Sequence, residues 1–303
     1  MIDFTDWREF DYQQATVQLW TFKKSATDAR FRAWHVRTDA DIEMLFRQAV
    51  ISSIENTTEM ISYSPISQNN ESSCLTHSLE ESAGLIALLN LVDAPEAENV
   101  DAQLKHLKGA AGYLVKFQGS NQTVYAVRRT APSWRPQVRR SFINATFCNG
   151  ELSVTPQETF SFDSCFDFYC VNETVFIKSK RAFEISMSEK RVYERNFEDL
   201  SVDPAFSAIF SDIEPLKAYI GNNTMQLRRI TVIQDKAIYL RPDFSRRLQR
   251  VNHARGFGLS FDHSGKLIVS ENSAKTILQI LLDHRLVSEI TDTIYDVPDA
   301  EAI

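Results

Sequence analysis

No run in this 303-residue chain approaches the ~20 apolar residues a membrane-spanning helix requires; the best stretch, Leu85 to Val92, is short and broken by Asn90. Asp3, Asp6 and Glu9 stand where a signal peptide would be basic and then apolar. The chain therefore reads as cytoplasmic. Cysteine is scarce: Cys74, Cys148, Cys165 and Cys170 include no CxxC pair, and four are too few for a disulfide framework in a chain this long. They read as reduced, ordinary residues. Without secretion, the Asn-x-Ser/Thr triplets at Asn56, Asn121, Asn144 and Asn172 carry no meaning. Phosphate-loop, dinucleotide, nucleophile-elbow and zinc-protease motifs are all missing, and the six histidines are scattered without ligand spacing. No cofactor, resident metal or catalytic residue is expected. Lys and Arg are absent from Gln48 to Leu104, which carries nine Asp and Glu; without that segment the net charge of −7 becomes +2. An acidic total thus hides a basic remainder able to form a cationic surface.

What is present is ample for a core: 43% hydrophobic and 11% aromatic residues exclude disorder as the main state. Alternating Val17 and Leu19, then Phe31 and Ala33, predict two strands joined by the Ser25 to Ala29 loop. Asp39 is placed to cap a helix whose packed face is Ile42, Leu45, Phe46, Ala49 and Ile54. Ser67 to Ser73 reads as a loop, and Asp93 to Asp101 as a linker or exposed turn. From Gly112 short strands follow: Tyr113 to Phe117, Thr123 to Arg129, Ser141 to Phe147 and Glu151 to Thr155. Asn149-Gly150 suits the positive φ angles of a tight hairpin. A second hairpin joins Phe166 to Val171 with Thr174 to Lys178 across Asn172-Glu173. Helices are predicted at Phe183 to Asn196, Pro204 to Tyr219 and Ala274 to His284, and strands at Leu259 to Asp262 and Lys266 to Val269. Leu227 to Leu240 fits strand or helix equally well. The fold class is α+β, with an N-terminal α+β domain over residues 1–110. A mostly antiparallel sheet with helices follows over 111–303.

The densest charge lies between Arg228 and Arg255, where eight basic residues face only Asp235 and Asp243, a balance of +6. The guanidinium fork donates two parallel hydrogen bonds and stays charged at physiological pH, so a phosphate backbone is the first partner to consider. Pro242-Asp243 start a helix that Gly256 and Gly258 stop. On it Phe244, Leu248 and Val251 share one face, and Arg246, Arg247, Arg250 and His253 lie roughly opposite. Arg255, Arg228, Arg229 and Lys236, with Arg241, complete the basic stretch. The plainer alternative is a solvated face whose arginines pair with acidic neighbours. Arg139 and Arg140 belong to a second acid-free stretch with Arg128, Arg129 and Arg135, where Trp134 either stacks on a base or packs the core. The nearest approach to a nuclease site is Gln234, Asp235 and Lys236 behind Ile230 to Ile233, with Asp212 or Glu214 as metal ligands. A short pattern of this kind arises readily by chance.

Phe166 to Glu184 (FDFYCVNETVFIKSKRAFE), Arg228 to Lys236 (RRITVIQDK), Gly258 to Leu267 (GLSFDHSGKL) and Ser288 to Pro298 (SEITDTIYDVP) together resemble the KwaB family of the bacterial Kiwa anti-phage defence system. The resemblance covers the C-terminal half and rests on the order of features. It implies a cytosolic DNA-binding protein that works with KwaA, a transmembrane protein responding to phage attack, at the inner face of the membrane. It carries no active-site residues across. The reading is a DNA-binding effector, self-associated as a homodimer, that grips phage DNA non-specifically and blocks its replication or transcription. A metal-dependent nuclease is the alternative, and a pure interaction protein with an acidic partner is a third.

Overall fold

A computed structural model describes residues 5–25, 30–94, 103–130, 145–148, 151–154, 160, 162–287 and 293–297. The chain forms two compact units, one of residues 1–62 and 68–188, the other of 63–67 and 189–303. Both mix helix and strand, in keeping with the α+β expectation.

The first unit is built on an eight-stranded sheet in the order β2-β1-β5-β6-β9-β10-β4-β3. Its strands are β1 (Thr16–Lys24), β2 (Phe31–Val36), β3 (Glu59–Ser62), β4 (Ser73–Ser78), β5 (Gly112–Gln118), β6 (Thr123–Arg129), β9 (Phe168–Val171) and β10 (Thr174–Ile177). All neighbours are antiparallel except β3 and β4. Strands β7 (Ala145–Cys148) and β8 (Glu151–Val154) pair antiparallel, Cys148 opposite Glu151, and the expected Asn149-Gly150 turn lies outside the described residues. Helices α1 (Thr5–Arg8), α2 (Ala40–Glu55), α3 (Ala83–Val92), α4 (Leu104–Leu107) and α5 (Lys180–Met187) complete the unit.

The period of two sends Val17, Leu19, Val115, Phe117, Val124, Ala126 and Val171 to one face of this sheet, where they pack with Trp7 of α1 and Phe46, Ala49, Val50 and Ile54 of α2. Trp7 stacks on Phe176 with ring centroids 4.7 Å apart. On the other face Phe168 meets Phe183 of α5 at 5.1 Å. Helix α2 starts where expected, the Asp39 carboxylate accepting from the Ile42 N–H at 2.9 Å. Leu45, expected on its packed face, is instead 59% exposed. Cys74, Cys165 and Cys170 are free thiols, and burial pushes Cys74 up to about 11.

Asp167, buried, fastens the centre of the sheet. Its carboxylate accepts from Arg128 Nη1 and the Arg129 N–H, both at 2.7 Å, and its carbonyl accepts from the N–H groups of Lys178 and Ser179 at 2.8 Å. Burial raises the carboxyl above its usual range, and the Arg129 N–H and the Arg128 charge offset part of that rise. Gly112 is a second fixed point: a methyl there would stand 2.6 Å from the Arg128 carbonyl oxygen and collide with the Phe22 ring. Gly112→Ala is therefore expected to cost about 1–3 kcal/mol by overpacking. A denaturant midpoint equal to that of the parent would contradict this contact.

The boundary expected between residues 110 and 111 falls inside this unit, because β5 pairs with N-terminal β1 on one side and with β6 on the other, and β6 carries the same sheet on to β9. The chain divides instead at Ser188, whose positive φ of 64° ends α5. The single helix expected over Phe183 to Asn196 is accordingly two.

The second unit contains α6 (Glu189–Val202), α7 (Pro204–Ser207), α8 (Glu214–Ile220), α9 (Thr224–Lys236), α10 (Phe244–Arg255) and α11 (Glu271–Leu281). Its hairpins are β11 (Ser260–Phe261) with β12 (Leu267–Ile268), and β13 (Arg285–Val287) with β14 (Ile294–Asp296). One core runs through it, with Leu200, Phe210, Leu227, Ile230, Ile233 and Leu278 among its members. The helix expected over Pro204 to Tyr219 is interrupted where Phe210 bridges Leu267, and the Ser211 N–H donates to the Leu267 carbonyl at 2.9 Å. Leu227 to Leu240, ambiguous in sequence, is helical as far as Lys236. The Asn223 side chain caps α9 by accepting from the Met225 and Gln226 N–H groups, and Ala237 at φ 46° ends it. Among the described residues no helix is long and apolar enough to cross a membrane.

Candidate nucleic-acid interface

The sequence of α10, FSRRLQRVNHAR, contains no acid. Leu248 is buried and Phe244 and Val251 are half-buried, whereas Arg246, Arg247, Arg250 and His253 are exposed, so the two faces fall as the helical period predicts. The inner side is pinned to the β11–β12 hairpin. Asn252 Nδ2 donates to the Leu259 carbonyl and its Oδ1 accepts from the Leu259 N–H, both at 3.0 Å. Gln249 Nε2 donates to the Gly265 carbonyl at 2.8 Å. The hairpin turn is itself held by Asp262, whose carboxylate accepts from the N–H groups of Lys266 and Ser264 and lies below the usual carboxylate range because of those bonds. Asp262, His263 and Lys266 thus act as turn residues. Gly256, at φ 65°, stops the helix as expected.

These anchors present the arginines on a rigid support without consuming them. Arg246 lies 3.4 Å from Asp243, with the two side chains 85% and 65% exposed. A pair that open to water is worth well under about 1 kcal/mol and yields readily to another anion. Arg247 and Arg250 form no ion pair with any described residue. At roughly 100° per residue, Arg246 and Arg250 share the centre of the basic face and Arg247 sits at its edge. Arg255 is exposed but lies about half a turn round from Arg246. There, in the last turn, its charge complements the helix dipole.

The other predicted residues are placed differently. Arg228 and Arg229 on α9 are half-buried, and Arg229 Nη1 donates to Gln226 Oε1 at 3.2 Å. Lys236 Nζ donates to the Leu282 carbonyl at 2.9 Å, just beyond the end of α11. Helix α9 buries Leu227, Ile230, Val232 and Ile233, and so turns one side of the stretch into the core. Arg139, Arg140, Arg135 and Trp134 lie outside the described residues. Two of the nuclease candidates, Asp212 and Glu214, make local contacts. Asp212 Oδ1 accepts from the Glu214 N–H at 2.9 Å, and Glu214 pairs with Lys217 Nζ at 2.8 Å. Among the described residues no cluster of three or more His, Cys, Asp or Glu is placed to hold a metal. Arg241, counted in the basic stretch but given no role, is exposed and lines the same cavity as Arg247. Its position directly before Pro242, at the mouth of the predicted helix, was the available signal.

Residues 107–291, well over half of the chain, match the model of the family described as Kiwa protein KwaB-like. The match takes in α10 and the hairpin that supports it. No curated protein and no solved structure matches the chain.

Proposed function

The chain belongs to the Kiwa protein KwaB-like family and so has a role in Kiwa anti-phage defence; within that role we propose that it is a DNA-binding effector that grips phosphates through α10. The observation that carries this is the exposed face of Arg246, Arg247 and Arg250 on an acid-free helix. Arg246 and Arg250 stand one turn and about 6 Å apart along the axis, so they reach neighbouring phosphates of one strand. Contacts to phosphate carry no sequence information, and the grip is non-specific. A bound protein of this kind obstructs replication or transcription of invading DNA. Self-association as a homodimer sets two such faces on one duplex and raises avidity without new contacts. A KwaA-like transmembrane protein is the partner that holds it at the inner face of the membrane.

Retention of unrelated duplexes by the purified protein, in Mg²⁺ and over a range of salt, tests the reading. Equal affinity for all sequences, a steep loss with salt and intact DNA on recovery are expected. Cleaved products would replace this reading with the nuclease. Lys236→Ala is the internal comparison. It removes a carbonyl partner at α11 and is expected to cost roughly 1 kcal/mol of stability, while the salt slope of DNA binding stays at the parent value. A slope that fell as it does for the α10 arginines would return Lys236 to the interface.

A further inference from the structure

A cavity of about 370 Å³ opens beside α10, within the second unit. Its volume lies in the range of about 300–1,000 Å³ typical of small-molecule sites. The apolar lining comes from Phe244, Leu248, Val251, Phe257 and Ile280, so two aromatic rings contribute to it. Arg241 and Arg247 stand at the same cavity, together with Asp283. Neither arginine side chain forms an ion pair or hydrogen bond with any described residue. The third arginine, Arg285, is committed: its Nε lies 3.0 Å from Asp296 Oδ1 and its guanidinium 5.5 Å from the centroid of Phe257.

An apolar cleft with aromatic rings, two uncommitted guanidinium groups and one carboxylate acceptor is a specific combination. The rings offer a stacking surface to any planar heterocycle, the guanidinium groups bind phosphate, and the carboxylate accepts from an exocyclic amino group. A fatty acyl chain would use neither the stacking rings nor the carboxylate. Arg247 also belongs to the exposed face of α10, so a phosphate chain followed along that face arrives at the cavity. The geometry points to a nucleotide site: the cavity takes one unstacked base while Arg241 and Arg247 hold its phosphate. In its strand-borne form this rests on the DNA-binding reading, and it makes the protein prefer unpaired nucleotides to duplex. A free nucleotide has the same chemistry and is the other source.

The test uses the full chain and the double variant Phe244→Leu/Phe257→Leu, which keeps apolar volume and removes both rings. Binding of a single-stranded oligonucleotide, a duplex of equal length and a purine nucleoside monophosphate is measured at one salt concentration. The parent is expected to bind the single strand at least about fivefold more tightly than the duplex, since base stacking on an aromatic ring contributes a factor of that order or more. In the double variant that preference disappears while duplex affinity is unchanged. Preference without mononucleotide binding assigns the site to strand-borne nucleotides. Ring-dependent mononucleotide binding without strand preference assigns it to free ones. Duplex retained equally by parent and variant, with no single-strand preference and no mononucleotide binding, overturns the cavity site and leaves the α10 grip standing. Ring-dependent mononucleotide binding with no DNA of either form retained overturns the grip and leaves the cavity site. No binding of any probe overturns both.

Discussion

Changing Arg246, Arg247 and Arg250 together to Ala is expected to weaken retention of duplex by about two orders of magnitude near 0.1 M salt, and equally for every sequence. The estimate follows from counterion release, in which each phosphate contact contributes about 0.9 to the slope of log affinity against log salt. Losing three contacts flattens that slope by about 2.7. Little stability should be lost with them, because all three side chains are exposed and the only ion pair among them and the described residues, Arg246 with Asp243, is open to water. Electrophoretic mobility shift over a salt series gives both quantities, and circular dichroism confirms that the variant is folded. A folded variant whose slope matches the parent would remove α10 from the interface.

The second large effect concerns stability. Asp167→Ala deletes a carboxylate that is only 3% exposed while leaving Arg128, 24% exposed, without it. Removing one member of a buried pair costs about 3–5 kcal/mol, and the partial exposure of Arg128 and its second partner Asp163 at 2.9 Å place the expected loss near the lower figure. For a unit of this size the melting temperature should fall by on the order of 10 °C. Asp167→Asn, which keeps the shape and one acceptor, should lose less. Scanning calorimetry resolves the two variants, and a melting temperature within a degree or two of the parent for Asp167→Ala would show that the carboxylate holds nothing.

What could be read from sequence was local. Asp39 as a cap and Gly256 as a helix stop each act over a few residues, and each is found where the residue types require it. The same holds for the division of α10 into a buried and an arginine face, which depends only on the helical period. Pairings that join distant segments left no comparable mark. The union of β1 with β5 spans about ninety residues, and it converts an expected boundary into the middle of a sheet. The parallel pairing of β3 with β4 was equally silent. Helix α9 was undecided because Ile230, Thr231, Val232 and Ile233 are β-branched, and such residues favour strands when read alone. The cap at Asn223 settles it.

Protection of individual arginines from a guanidinium-specific dicarbonyl reagent tests the DNA grip most directly, because peptide mass spectrometry reads each site separately in the unaltered protein. Saturating duplex should slow the modification of Arg246, Arg247 and Arg250 severalfold and leave half-buried Arg229 at its own slow rate. DNA held firmly while those three react as fast as in its absence would place the contact elsewhere on the molecule.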